Sequence, residues 1–211
     1  MAQVSENNKP RSFTDFMRQR FKGVLTRISA FLSALGLTAD SLTIIGFLGN
    51  VGAAVLLSQG YLTWGGIVAL ILAPFDALDG ALARYQGKVN PFGAFLDSVT
   101  DRYSEIVLLG GLLVYFLQAG NRLAAGLAFA AITGSLMVSY VKARAEAVGY
   151  SANTGILTRL ERLIVFIPAL IFNIPMVALW ILAVLTHVTA LQRILFVRAQ
   201  AAGSNSGQRG V

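Results

Sequence analysis

Cysteine is absent from this 211-residue chain, and histidine occurs once, at His187. Disulfides and thiolate metal sites are excluded, and any metal site must be built mainly from oxygen donors. Charge is also scarce. Only 13% of residues are Asp, Glu, Lys or Arg, against about 25% in an average soluble domain. Apolar residues make up 55%. So few charges cannot cover a water-soluble fold of this length, and a bilayer is the expected solvent for most of the chain. Acids are the scarcer sign, ten against 17 bases, for a net charge of +7. The basic excess suits anionic lipid or an anionic substrate, and the hydrophobicity argues against nucleic acid as the partner.

The chain is rich instead in long apolar segments. They cover residues 38–58, 62–85, 90–118, 122–148, 155–172 and 175–197. Each supplies about the 20 residues that a crossing needs. Residues 13–32 place Phe13, Phe16, Met17, Phe21, Val24, Leu25, Ile28, Phe31 and Leu32 at helical spacing, with Arg18, Arg20, Lys22 and Arg27 on other faces. That pattern predicts a basic amphipathic helix lying in the membrane interface. The expected fold is all-α and integral to the membrane: an interfacial helix at 11–33 and six transmembrane helices within 38–199. One domain over 11–200 is flanked by disordered tails at 1–10 and 201–211. Lys and Arg alternate between the links, which puts both termini and the Arg84–Lys88 turn on the cytoplasmic side of the cell membrane. His187 lies in an apolar segment and reads as a packing or interhelical hydrogen-bonding residue. Pro74 is expected to kink the second segment.

Five of the ten acids fall between Asp76 and Glu105. Asp76 and Asp79 share a helix face, which Gly80, Ala83 and Arg84 continue. On the next segment Gly93, Asp97, Asp101 and Glu105 step by four into one stripe. The short turn from Gly87 to Pro91 makes the two helices antiparallel neighbours, so four aspartates can converge. Carboxylates packed together repel unless cations or basic partners offset them. An all-oxygen donor set suits Mg²⁺, Mn²⁺ or Ca²⁺, and a pair of such ions can clamp a phosphoryl displacement. Gly80, Ala83 and Gly93 leave room for a ligand, and Arg84 offers a fork for phosphate. A structural ion-pair network or an acid-lined cation transporter would use the same residue types. The transporter needs acids along a whole crossing, whereas these cluster at one end.

The full pattern Asp76-x2-Asp79-Gly80-x2-Ala83-Arg84-x8-Gly93-x3-Asp97-x3-Asp101 resembles the signature of the CDP-alcohol phosphotransferase family without a departure. The resemblance implies that Asp76, Asp79 and Asp97 hold two Mg²⁺ or Mn²⁺ ions with Asp101 close by. It implies that Asp101 is the general base, and that Gly80, Ala83 and Arg84 receive a CDP-linked lipid. It also implies a homodimer. Asp40 and Thr43 open the first crossing. Helix capping by Thr38 or Asp40 is one use for this stretch, and a similar Asp-x2-Thr element in the family lies near the nucleotide.

A second basic group surrounds the start of the fifth segment: Lys142, Arg144, Arg159, Arg162 and Arg193. Flanking charge alone does not demand this placement on three helices, whereas an acceptor carrying its own phosphate does. The Lys142-Ala-Arg-Ala-Glu146 stretch followed by Arg159-x2-Arg162 resembles the phosphatidylinositol phosphate and archaetidylinositol phosphate synthase branch. That implies CDP-diacylglycerol or CDP-archaeol as donor and inositol 1-phosphate as acceptor. The branch often carries Glu-Arg-Pro-Glu-Arg, whereas this chain has Thr158-Arg159-Leu160-Glu161-Arg162. Glycerol-3-phosphate, giving phosphatidylglycerol phosphate, meets the same charge requirement. Glu105 extends the acidic stripe, either tuning the site or pairing with Arg102.

Overall fold

The computed structural model describes residues 13–208, with side chains from 23 to 202. The expected tail at 1–10 and the last residues, 209–211, lie outside this range. Among the described residues the chain is all helical: α1 (Phe13–Ala34), α2 (Ala39–Ser58), α3 (Leu62–Leu72), α4 (Phe75–Tyr85), α5 (Pro91–Gln118), α6 (Arg122–Ala147), α7 (Arg159–Ile171) and α8 (Pro175–Gln208).

The stops are written into the sequence. The turns after α1, α2, α4, α5 and α6 each contain a glycine at positive φ. At Gly60 (φ 87) the chain folds back, so that the Tyr61 amide reaches the Leu56 carbonyl at 3.0 Å. A Cβ would disfavour this left-handed turn. Asn173 (φ 57) serves the same purpose after α7, as asparagine tolerates that region. The starts are capped. Thr38 Oγ1 accepts from the Ser41 amide at 3.2 Å, Asn90 Oδ1 from Gly93 at 2.7 Å and Asn121 Oδ1 from Ala124 at 3.1 Å. Pro91 follows Asn90 as the first helical residue, where its missing N–H costs nothing.

The chain divides into two compact units. One comprises the residues up to Thr43 together with Phe75–Asp97, and the other comprises Ile44–Pro74 with Ser98 onward. In the first, α1 packs on α4. Leu82 and Leu42 are buried there, and Gln86 Nε2 donates to the Leu37 carbonyl at 2.8 Å. In the second, α6 packs on α8, α3 on α7 and α7 on α8. Leu57, Leu109, Leu112, Leu170, Leu179 and Leu182 form its core. Small residues set the close approaches. A Cβ on Gly134 would meet Thr186, and one on Gly111 would lie 2.3 Å from the Ala54 carbonyl oxygen.

Four stretches are long and apolar enough to cross a bilayer: Ala39–Ser58, Leu62–Tyr85, Arg122–Ala147 and Pro175–Ala202. Exposed Leu48, Trp64, Ile71, Phe129 and Val184 give them apolar outer faces, as a lipid solvent requires. The other two expected crossings fall short by length or composition. Helix α5 carries Asp97, Asp101, Arg102 and Glu105. Helix α7 has 13 residues, about 20 Å of rise. Its expected first residues, Gly155 to Thr158, are not helical. At its other end the chain departs from the expected tail. Helix α8 runs on to Gln208, because the Ala199-Gln-Ala-Ala202 run propagates an existing helix, each added residue gaining one backbone bond.

Candidate active site

In the first unit the acids sit where a helix restarts. Pro74 separates α3 from α4, and α4 begins one residue later. Asp76 and Asp79 therefore occupy its first turns, where the positive end of the helix dipole favours carboxylates. Asp79 is buried and doubly held. The Gly80 amide donates to its Oδ1 at 2.6 Å, and Thr43 Oγ1 lies 2.7 Å from its Oδ2. Thr43 Oγ1 is also 3.1 Å from the Ala39 carbonyl. The hydroxyl has one proton, and the closer, charged acceptor takes the stronger share. The family resemblance implies a position for Thr43 near the nucleotide; in the structure its hydroxyl orients a carboxylate 36 residues away. Because Thr38 caps α2, Asp40 is released from that duty.

Asp40, Thr43, Asp79, Gly80, Ala83, Arg84, Lys88, Gly93 and Asp97 line one open cleft of about 200 Å³. Its walls depend on the glycines. A Cβ on Gly80 would come 3.3 Å from Arg84 Nη1, and one on Gly93 would come 3.3 Å from Asp40 Oδ1. Carboxylate oxygens of Asp76 and Asp97 approach within 4.8 Å. An all-carboxylate donor set at that spacing fits hard divalent ions such as Mg²⁺ or Mn²⁺.

In the second unit the remaining acids meet arginines. Asp101 and Glu105 stand one turn apart on α5, and Arg159 and Arg162 share the first turn of α7. Arg159 Nη1 lies 2.6 Å from Asp101 Oδ2. Arg162 grips Glu105 with two bonds, Nε to Oε1 at 2.6 Å and Nη2 to Oε2 at 2.8 Å. Its Nη1 donates to the Leu157 carbonyl at 3.3 Å. Glu105 thus pairs with Arg162 rather than with Arg102, which donates to the Ser98 carbonyl at 2.6 Å and lies 3.6 Å from Asp101.

The loop before α7 is fixed by α8. Arg193 is buried and donates through Nε to the Thr154 carbonyl (2.9 Å) and through Nη1 to the Val138 carbonyl (2.7 Å). Thr189 Oγ1 accepts from the Leu157 amide at 3.2 Å. Gln200 exchanges two bonds with the Ser151 main chain, at 3.2 and 2.7 Å. Gly155, at φ 122, lets the loop pass against Thr189, where a Cβ would come within 2.5 Å of the methyl group. Lys142 lies 3.8 Å from Glu146 and Arg144 is exposed in the last turn of α6. Standing two apart, these two face different sides of their helix. Of the five bases expected to serve the acceptor, Arg159 and Arg162 are therefore brought together with acids. Arg193 supports the loop that leads to them. His187 Nε2 lies 3.1 Å from the Ala130 carbonyl, an interhelical bond between α8 and α6. The residue that sequence reasoning left undecided is Glu105. Its place on the Asp97–Asp101 stripe was the only available signal.

Known proteins similar to the chain include three lipid-phosphate synthases. Phosphatidylinositol phosphate synthase of Streptomyces avermitilis is 34% identical over 206 residues, covering 90% of this chain and 84% of that protein. Archaetidylinositol phosphate synthase of Pyrococcus horikoshii is 38% identical over 179 residues, covering 84% and 93%. The crystal structure of Mycobacterium tuberculosis phosphatidylinositol phosphate synthase with CDP-DAG bound superposes with a TM-score of 0.77 at 34% identity, covering 82% of this chain and 93% of that one. The same enzyme in complex with manganese and citrate gives 0.79 at 34% identity, covering 82% and 88%. Residues 36–192 match the model of the CDP-alcohol phosphatidyltransferases, a stretch that holds every acid, glycine and arginine of the site except Arg193. The chain belongs to the CDP-alcohol phosphatidyltransferase family and is a transferase of substituted phosphate groups.

Proposed function

We propose that the protein transfers the phosphatidyl or archaetidyl group of CDP-diacylglycerol or CDP-archaeol to inositol 1-phosphate, releasing CMP. The observation that carries the acceptor is the contact of Asp101 with Arg159 at 2.6 Å, which sets a candidate base beside a phosphate-binding cation. The names of the similar enzymes support the same donor and acceptor.

Asp101 takes the proton of the acceptor hydroxyl as its oxygen attacks the lipid-bearing phosphorus. The bond from that phosphorus to the bridging oxygen breaks, and CMP leaves. Asp76, Asp79, Asp97 and Asp101 would hold two Mg²⁺ or Mn²⁺ ions, which when bound offset charge on the diphosphate and on the departing CMP. Thr43 and the Gly80 amide keep Asp79 in a single orientation. Asp40, Gly80, Ala83 and Arg84 receive the CDP moiety in the cleft. Lys142, Arg144, Arg159, Arg162 and Arg193 give the acceptor region its positive charge, with Arg159 in direct contact with the phosphate. The single domain crosses the cell membrane six times behind an interfacial α1, as a homodimer, with the termini and the site cytoplasmic. The alternation of Lys and Arg along the chain supports that orientation.

The test is CMP release by the purified enzyme with CDP-diacylglycerol and either inositol 1-phosphate or glycerol-3-phosphate. Release is expected with inositol 1-phosphate only, lost on chelation and restored by Mg²⁺ or Mn²⁺. Turnover with glycerol-3-phosphate alone, or undiminished turnover in chelator, refutes it.

A further inference from the structure

Two ion pairs join α5 to α7 within the second unit, and they differ in kind. Asp101 and Arg159 form the outer one, at 2.6 Å, with Arg159 34% exposed. Glu105 and Arg162 form the inner one, bidentate, with Arg162 2% exposed. The members of each pair are offset by one helical turn on both helices, so the pairs lie like two rungs. A bidentate guanidinium–carboxylate pair fixes direction as well as distance. All three Arg162 nitrogens are engaged, two by Glu105 and one by the Leu157 carbonyl. A phosphate arriving there would have to displace a buried carboxylate. Arg159 is 34% exposed, so a dianion can reach its fork from water.

We infer that Glu105 is a positioning residue for the acceptor: it anchors Arg162, and the anchored first turn of α7 sets Arg159 beside Asp101. The inference rests on the proposed acceptor, in that Arg159 is taken to meet its phosphate. Three further features agree with it. The Leu157 carbonyl that Arg162 holds is the last loop group before the Thr158 start of α7. Thr158 and Glu161 are hydrogen-bonded at the spacing of a capping box, so the turn that carries Arg159 is tied from both sides. The small space around Glu105 and Arg162 is otherwise walled by Leu108, Leu109, Leu163, Phe166 and Leu182, and such a low-dielectric setting holds a satisfied pair firmly.

The experiment is steady-state kinetics of full-length enzyme in detergent, varying inositol 1-phosphate and CDP-diacylglycerol separately, with melting temperature as a control. Glu105→Gln keeps the shape and removes the charge. It is expected to raise the acceptor KM by about tenfold and leave the CDP-diacylglycerol KM within about twofold. Arg162→Lys keeps the charge without the fork and is expected to raise the acceptor KM by about fivefold. It carries the test if Glu105→Gln does not fold. Both KM values rising together, or a lower melting temperature with both unchanged, overturns the inference. If wild-type enzyme uses glycerol-3-phosphate instead, the acceptor assignment fails alone. The selective KM rise, measured with that alcohol, then decides the positioning role.

Discussion

The cleft lined by Asp40, Asp79 and Asp97 and the face formed by α7 and α8 handle charge in opposite ways. In the first unit acids outnumber the bases that line the same space, Arg84 and Lys88. Asp79 takes its orientation from neutral groups, the Thr43 hydroxyl and the Gly80 amide. In the second unit Arg102, Arg159, Arg162 and Arg193 are each matched by a carboxylate or a main-chain carbonyl. A cluster left with excess negative charge is a site waiting for cations from outside, whereas a cluster balanced within the chain is built to hold its own shape. The same fold therefore supplies a region that binds and a region that positions.

Three substitutions probe that division, from the largest effect to the smallest. Asp101→Asn is expected to lower kcat by about a thousandfold or more, because the acceptor hydroxyl loses its base, with CDP-lipid affinity within a few fold. Near-normal turnover of the purified variant would remove Asp101 from the chemistry. Thr43→Val keeps the volume and removes the hydroxyl that orients Asp79. Divalent-ion affinity, followed by the Mg²⁺ concentration needed for half-maximal rate, should weaken by about 10- to 100-fold. An unchanged requirement would mean that the Gly80 amide suffices. Arg193→Ala releases the loop at Thr154 and removes the bond to the Val138 carbonyl of α6. The acceptor KM should rise by about tenfold, with the metal requirement as in wild type. If the metal requirement moves instead, the two regions are not separable in the way their bonding suggests.

Much of the first unit was legible in the sequence because its geometry is local. Helical spacing alone puts Asp76 with Asp79 and Gly93 with Asp97. Pro74 announces the break between α3 and α4, and the Gly87–Pro91 turn announces the reversal. The second unit was legible in its charges and not in their use. A count of arginines cannot distinguish a fork that meets a ligand from one that holds a carbonyl, and Arg193 does the latter with Thr154, 39 residues away. Glu105 and Arg162 are 57 residues apart, and no periodicity links them. The nonhelical Gly155–Thr158 stretch was also hidden. Its apolar residues read as the start of a crossing, whereas contacts with Thr189 and Arg162 hold its backbone out of the helix.

Helix α5 is a single uninterrupted rod from Pro91 to Gln118, started at a fixed phase by the Asn90 cap. Each residue advances the rod by about 100°. One extra amino acid between Asp97 and Asp101 would therefore swing Asp101 and Glu105 a quarter-turn or more away from both arginines while leaving Gly93 and Asp97 where they are. The spacing of the acids along this rod therefore matters as much as the acids themselves, because a change of length displaces every side chain beyond it.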